Sequence, residues 1–216
     1  PRFVVKSLGC MQLIQLIAQQ LETQSFMVFH LPHIKQILDI FPQADVLLGK
    51  PMPATALRTF VAEKNEDLIH QIQWLVDTVE RVEQYLNIAQ QFNLKLRLNI
   101  EIDVGLHRGG VETMSQLDEI CQLIARNLSH LSLSGLMGYD AHVSKIPEII
   151  KKAITAYTES QEIYKSYIEY LGSNFPSLFH DKLCFNGGGS PSFDFHLKHS
   201  VCNDVSFGSM LLKPSD

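Results

Sequence analysis

A glycine-rich run near the end of the chain has the composition of an anion-binding loop. The run Asn186–Ser192 (Asn-Gly-Gly-Gly-Ser-Pro-Ser) directly follows the apolar run Leu183–Phe185. Glycines at a strand end allow positive φ angles and let a ligand approach the backbone closely. Their N–H groups, with the Ser190 and Ser192 hydroxyls, can surround an anion such as phosphate. The competing interpretation is a tight turn without a ligand.

Lys6 supplies a second reactive group at the other end of the chain. It follows Val4–Val5 and would close the first strand, Arg2–Lys6. A lysine that points into a desolvated cavity has a lowered pKa, and its neutral amine can form a Schiff base with a carbonyl compound. The competing interpretation is a surface lysine at a strand end. A phosphate loop and such a lysine at one site suggest pyridoxal phosphate, or a phosphorylated aldehyde or ketone.

Strand and helix patterns alternate along the whole chain. We predict eight strands: Arg2–Lys6, Phe26–Phe29, Asp45–Leu48, Gln73–Val76, Lys95–Asp103, Leu131–Gly138, Leu183–Phe185 and Asp204–Phe207. We predict helices between most of them: Met11–Leu21, Ile34–Phe41, Ala54–Ala62, Thr78–Gln91, Thr113–Asn127 and Pro147–Leu171. Such alternation favours parallel pairing in a (β/α)8 TIM-type barrel that lacks its last helix; an open doubly wound sheet is the alternative.

A barrel would bring the two reactive features together. Active sites of these barrels lie at the carboxyl ends of the strands, and phosphate often binds after strands 7 and 8. The triple glycine Gly187–Gly189 follows the seventh predicted strand, and Gly208-Ser209 follows the eighth. We therefore expect a phosphorylated ligand at this end of the barrel.

Composition narrows the function classes. The chain has 216 residues and a net charge of -5, which argues against nucleic acid as a partner. No apolar run is long enough for a membrane helix, and no secretory pattern opens the sequence. The four scattered cysteines and nine histidines show no metal-ligand spacing, so we predict no metal site within the chain, free thiols and a cytoplasmic location. We expect residues 1–216 to form one barrel that is incomplete at both ends and belongs to a larger protein.

Several motifs, in order along the chain, resemble those of one enzyme superfamily. Arg2–Ser7 resembles the lysine strand of fold-type III pyridoxal phosphate enzymes, the alanine racemase N-terminal barrel superfamily. Glu101–Val111 is similar to their strand-5 motif, and Gly135–His142 to the strand-6 motif of the D-threonine aldolase and D-serine dehydratase branch. The triple-glycine loop and Gly208-Ser209 resemble the phosphate loops of the superfamily.

The resemblance implies roles for individual residues. Lys6 would carry the cofactor as an internal aldimine and shuttle the α-proton on one face of the substrate. Arg108 would bind the phenolic oxygen of the cofactor or the substrate carboxylate, although an ion pair with Asp103 or Glu101 is an alternative. Tyr139 would sit against the pyridine ring or pack in the core, and His142 would act near the substrate or lie in a solvated loop. The predicted phosphate-binding residues are Gly187, Gly188, Gly189, Ser190, Gly208 and Ser209.

The chain also departs from the pattern that it resembles. Ser206 stands where the racemases place an arginine opposite the pyridine nitrogen, so the ring would be a weaker electron sink. The superfamily's C-terminal β domain, which carries the opposite-face tyrosine of the racemases or the metal ligands of the other branch, is not expected in this chain. A divalent metal would therefore be bound by a segment outside it. A homodimer is implied, because partner subunits complete the site in the family.

Two function classes remain open at this stage. The first is a pyridoxal phosphate enzyme that acts on small amino acids, preferably D-configured, by aldol cleavage, dehydration or racemisation. The second is a non-catalytic pyridoxal phosphate-binding homeostasis protein. A barrel aldolase that forms a Schiff base with a sugar phosphate is a third interpretation.

Overall fold

The chain folds into a closed barrel of eight parallel strands in sequential order, as a computed structural model shows. The structure describes residues 1–63, 66–145 and 152–212. Phe3 pairs with Phe26 of the second strand and with Phe207 of the eighth, which closes the barrel. The strands are β1 Arg2–Val4, β2 Ser25–Val28, β3 Asp45–Leu48, β4 Ile72–Val76, β5 Leu96–Glu101, β6 Leu131–Gly138, β7 Cys184–Gly187 and β8 Asp204–Phe207. The predicted barrel is confirmed.

Seven α-helices lie in the described ranges: α1 Met11–Gln20, α2 Leu31–Ile40, α3 Ala54–Ala62, α4 Val79–Gln91, α5 Met114–Arg126, α6 Ala153–Asn174 and α7 Phe193–Lys198. The start predicted for α6, at Pro147, lies outside the described residues. The prediction omitted α7, because its six residues are too few to show a helical period. None of the helices within these ranges is both long and apolar enough to cross a membrane.

The first strand is shorter than predicted, and this changes the position of Lys6. The strand β1 ends at Val4, and Val5–Ser7 form a 3-10 turn. The prediction that Lys6 closes the strand is therefore wrong. Lys6 lies on the turn that follows β1, still at the carboxyl end of the barrel.

The amino end of the barrel holds a network of charges around the buried Arg2. Arg2 bonds to the carboxylates of Asp45 and Asp204, and its side chain is only 3% exposed. Arg97 bonds to the other oxygen of Asp45 at 2.8 Å. Because a buried charge is costly unless it is paired, this network stabilises one arrangement of the strands. Arg97 of β5 thus extends the network across the amino end of the barrel.

Candidate active site

A cavity of about 260 Å³ opens at the carboxyl end of the barrel. Its walls come from the segments that follow β1, β2, β3, β5, β6, β7 and β8. Most of the predicted site residues line it, namely Lys6, Arg108, Tyr139, Gly188, Gly189, Ser190, Gly208 and Ser209. The fold therefore brings together residues that are up to about 200 positions apart in the sequence. This agrees with the strand-end rule, by which residues at the carboxyl ends of the strands of such a barrel lie at one site.

The Lys6 ammonium lies over an aromatic ring and among other cations. Its Nζ is 4.3 Å from the centroid of the Phe29 ring. Partial burial, and then the positive charges of Arg108 and Lys50, lower the pKa of Lys6. A lower pKa increases the fraction of neutral amine, the form that attacks a carbonyl carbon.

Arg108 is anchored by a buried carboxylate. Its Nη2 lies 3.4 Å from Oε1 of Glu101, whose side chain is 3% exposed. Lys50, which comes two residues after the end of β3, binds the same carboxylate at 3.0 and 3.3 Å. The ion pair that we considered as an alternative role for Arg108 is thus present, and it leaves part of the guanidinium fork available to a ligand. The role of Arg108 toward a ligand stays a prediction.

The loop that carries Arg108 is shaped by Asp103. One carboxylate oxygen accepts the backbone N–H groups of Gly105 at 2.9 Å and His107 at 3.0 Å, and the other contacts the His107 imidazole at 2.7 Å. Burial alone would raise the pKa of Asp103, but these hydrogen bonds outweigh it and lower the pKa. His107 has a positive φ of 53°, and Asp103 thereby fixes the turn that directs Arg108 toward the cavity.

Tyr139 forms a wall between Arg108 and the glycine loop. The Arg108 guanidinium carbon stands 4.7 Å from the centroid of the Tyr139 ring. On the other side, a Cβ at Gly189 would lie 2.7 Å from the Tyr139 ring. Burial raises the pKa of the Tyr139 phenol, and the nearby Arg108 only partly offsets it. Gly189 therefore lets the ring lie directly against the loop backbone.

The two glycine loops meet across the cavity. The Ser190 hydroxyl oxygen accepts the N–H groups of Gly208 at 3.2 Å and Met210 at 3.0 Å. A Cβ at Gly208 would lie 2.9 Å from both Ser7 Oγ and Val4 Cβ, so a side chain there would fill the crevice. Backbone N–H groups that converge on an oxygen are the donor set that a phosphate uses. Gly187 does not line the cavity: it lies in β7, and a Cβ there would meet the Cys202 sulfur at 2.5 Å.

The floor of the cavity is neutral and polar. Ser206 and Asn186 exchange hydrogen bonds, with Asn186 Nδ2 2.9 Å from Ser206 Oγ and that hydroxyl 3.1 Å from Asn186 Oδ1. Both side chains are almost fully buried. The hydroxyl of Ser206 thus faces the cavity already paired, and it offers a ligand no charge.

His142 is the one predicted catalytic residue that faces elsewhere. It lines a second cavity, between the β5 loop and helix α6, with Asp103, Glu159 and Ser160 among its neighbours. Its Nε2 lies 3.1 Å from the Ser160 hydroxyl. The structure therefore does not bring His142 together with Lys6 and Arg108.

Sequence reasoning missed three residues near the mouth: Phe29, Lys50 and Lys145. Phe29 is the last residue of a predicted strand, and Lys50 lies two residues after the end of another, so the strand-end rule that selected Lys6 could have found them. Lys145 lies seven residues after the end of β6, and no sequence signal distinguishes it.

The residues present fit pyridoxal phosphate. The cavity has an amine of lowered pKa, an anchored guanidinium, and a glycine-lined crevice that a side chain at Gly208 would fill. For a metal the result is different: among the residues that the structure describes, no group of three or more His, Cys, Asp or Glu side chains could hold an ion.

Comparison with solved structures identifies the same fold in several enzymes. Alanine racemase from Bacillus anthracis superposes with a TM-score of 0.75 at 14% identity, over 99% of this chain and 51% of that one. D-threo-3-hydroxyaspartate dehydratase from Delftia sp. HT23 gives 0.77 at 17%, over 96% and 52%. D-threonine aldolase from Filomicrobium marinum gives 0.76 at 19%, over 96% and 53%. The chain thus spans about half the length of each structure, and a comparison with curated proteins finds no match.

A family comparison identifies the chain more directly than these distant structures do. The sequence matches the family described as alanine racemase, N-terminal domain, over residues 2–213. That match covers every strand of the barrel and each residue that lines the mouth. The chain therefore belongs to the alanine racemase N-terminal domain family, the fold-type III family of pyridoxal phosphate-dependent amino-acid enzymes.

Proposed function

We propose that this protein binds pyridoxal phosphate through Lys6 and acts on small D-amino acids by aldol cleavage, dehydration or racemisation. The observation that carries the proposal is the convergence of Lys6, Arg108 and Tyr139 with both glycine loops on one cavity. When bound, the cofactor supplies an electron sink for the negative charge that develops at the substrate α-carbon.

Lys6 is the residue proposed to hold the cofactor covalently at its aldehyde carbon. Because Arg108 and Lys50 add to the effect of burial in lowering its pKa, the amine is more readily neutral than that of an exposed lysine. An amine released from that bond at the mouth can also accept a proton from the substrate α-carbon and return it.

Arg108 and the glycine loops are proposed to bind the anionic parts of cofactor and substrate. The guanidinium is held by Glu101 and Tyr139, so it loses little freedom when it binds a phenolic oxygen or a carboxylate. Gly188, Gly189, Ser190, Gly208 and Ser209 would hold the phosphate, mainly by backbone N–H groups.

Ser206 would face the ring nitrogen. A hydroxyl that is already paired with Asn186 is a weak partner for that nitrogen, and this leaves the electron sink weaker than an arginine partner would. This feature is compatible with all three reactions. His142 lies outside this cavity and is assigned no step.

Borohydride trapping tests the central step. The wild-type protein mixed with pyridoxal phosphate and reduced should carry the label on Lys6 in a peptide map. Lys6→Ala should abolish the label and change the free energy of unfolding by less than about 0.5 kcal/mol, because the exposed side chain is not core. Lys165→Ala is the matched control, since Lys165 lies on α6 with its side chain 63% exposed. A label on another residue, or unfolding of Lys6→Ala, would contradict the assignment.

Product analysis then separates the reactions. D-threonine cleavage releases glycine and acetaldehyde, D-serine dehydration releases pyruvate and ammonia, and racemisation interconverts the alanine enantiomers. A labelled protein that acts on none of these would favour the homeostasis role instead. The homodimer, the cytoplasmic location and a metal bound outside the chain stay predictions.

A further inference from the structure

A buried pair, Asp140 and His196, lies behind the glycine loop. The imidazole Nε2 is 2.8 Å from one carboxylate oxygen, and the two side chains are 2% and 1% exposed. Asp140 directly follows Tyr139 after β6, and His196 belongs to α7. Because an ionised carboxylate only accepts hydrogen bonds, Nε2 donates its N–H to Asp140. The pair thus joins the segment after β6 to the segment after β7.

The same carboxylate also holds the far end of the loop. The Ser192 hydroxyl donates to the second Asp140 oxygen at 2.6 Å and is fully buried. The Ser192 N–H donates to the carbonyl of Gly189 at 3.0 Å, which closes the turn over residues 189–192. Asp140 therefore binds the turn that carries Gly189 and Ser190.

The imidazole lies behind Gly188, a position in the loop that favours glycine. Gly188 has a φ of +77°, and a Cβ there would lie 3.0 Å from His196 Cδ2. The other ring nitrogen, Nδ1, lies 2.8 Å from the Ser200 hydroxyl, and the Tyr157 ring packs edge-on at 5.1 Å between centroids. With both nitrogens hydrogen-bonded and the Tyr157 ring packed against it, the imidazole is held in one orientation behind Gly188.

We propose that His196, Asp140 and Ser192 form a positioning network that sets the phosphate-binding geometry of loop 188–192. The inference deepens the proposed function and rests on it. None of the three residues lines the cavity, so the network acts through the backbone that it holds. Its effect is directed at the phosphate group, because the contacts end on Gly188, Gly189 and Ser192 and do not reach Lys6.

The test compares pyridoxal phosphate with pyridoxal, which lacks the phosphate. For wild type, His196→Ala, His196→Gln and Ser192→Ala, the dissociation constants of both compounds are measured by equilibrium titration. We expect His196→Ala to weaken pyridoxal phosphate binding by roughly ten- to a hundredfold. Loss of a residue that hydrogen-bonds to the ligands of a bound metal weakens metal binding by a similar factor. Pyridoxal affinity should change less than about threefold, because its aldehyde and ring contacts stay in place.

Conservative and remote variants separate positioning from general damage. The glutamine amide of His196→Gln can still donate to Asp140, so this variant should recover much of the preference for the phosphorylated compound. His130→Ala is the control at the opposite end of the barrel, where His130 Nδ1 contacts the Leu94 carbonyl at 3.1 Å. The preference of His130→Ala for pyridoxal phosphate over pyridoxal should equal that of wild type.

The outcomes are distinguishable. A wild-type protein that binds neither compound refutes the proposed function itself. A wild type that prefers pyridoxal phosphate, with the preference unchanged in His196→Ala and Ser192→Ala, overturns the positioning network. Ser192→Ala removes a single hydroxyl and keeps the backbone, so it decides the question even if His196→Ala does not fold.

Discussion

Substitution of Gly188 by valine tests the candidate phosphate loop most directly. The residue lines the cavity and has a φ of +77°, a conformation that costs an L-residue about 1–2 kcal/mol. A Cβ there would lie 3.0 Å from both Val205 Cγ1 and His196 Cδ2, and such overpacking costs about 1–3 kcal/mol. The two costs together amount to about 2–5 kcal/mol.

The fold can avoid most of this cost if the loop moves. Gly188 stands at the rim of the barrel, one residue after the end of β7, so a displaced loop leaves the strand ladder intact. We therefore expect the free energy of unfolding to change by less than about 1 kcal/mol. The affinity for pyridoxal phosphate should fall at least tenfold, the equivalent of about 1.4 kcal/mol. Urea unfolding and equilibrium titration with the cofactor measure the two effects separately.

Gly9 provides the matched control. It lies in the loop after β1, is exposed, and a Cβ there would meet no heavy atom within 4 Å. Gly9→Val should leave both stability and affinity as in wild type. Wild-type cofactor affinity in Gly188→Val would refute the reasoning, because it would place the phosphate away from this loop. A large loss of stability with unchanged cofactor affinity of the remaining folded protein would show that the valine destabilises the barrel and leaves the binding site unchanged.

Two further predictions concern charges at the two ends of the barrel. Lys50→Met removes a cation that lowers the pKa of Lys6 and leaves the Glu101 carboxylate with one partner fewer, so the pKa of Lys6 should rise. The pH at which the visible absorbance of bound cofactor reaches half its maximum should therefore move upward. A downward move would contradict the assigned cause. Arg2→Met removes the ion-pair partner of Asp204 and leaves Asp45 with Arg97 as its ion-pair partner, and it should cost about 3–5 kcal/mol in urea unfolding because the Arg2 side chain is 3% exposed. Arg97→Met, at a side chain 32% exposed, should cost less than about 1 kcal/mol. Equal losses would show that burial does not set the difference.

Much of the barrel follows from local sequence pattern. Its strands are short apolar runs such as Val46–Leu48 that are buried on both faces, and helices of nine residues or more show their own period. The short helix α7 was not predicted, because six residues form too few turns to show a helical hydrophobic period. The turn at Val5–Ser7 was not predicted, because the two neighbouring valines favour a strand locally. In the barrel, the pairing of β1 with β2 ends at Val4.

The site could be predicted only in part, and for a physical reason. A strand-end rule identifies residues that point to the same mouth, and it correctly grouped Lys6 with both glycine loops. It gives no information about which side chains then pair. Glu101 and Lys50 are 51 positions apart, and His196 and Asp140 are 56 apart. Such contacts depend on the tertiary arrangement of neighbouring strands, so the sequence pattern does not contain them.

The distribution of charge within the barrel supports an anionic ligand at the mouth. The chain as a whole carries a net charge of -5, yet four cations lie at or near the described mouth: Lys6, Lys50, Arg108 and Lys145. The buried carboxylate of Glu101 pairs with two of them, Lys50 and Arg108. Burial lowers the pKa of Lys6 most, and the positive charges of Arg108 and Lys50 lower it further by repulsion. A phosphate and a substrate carboxylate would relieve this repulsion. The electrostatic arrangement that lowers the pKa of Lys6 therefore also favours binding of the anions that the proposed function requires.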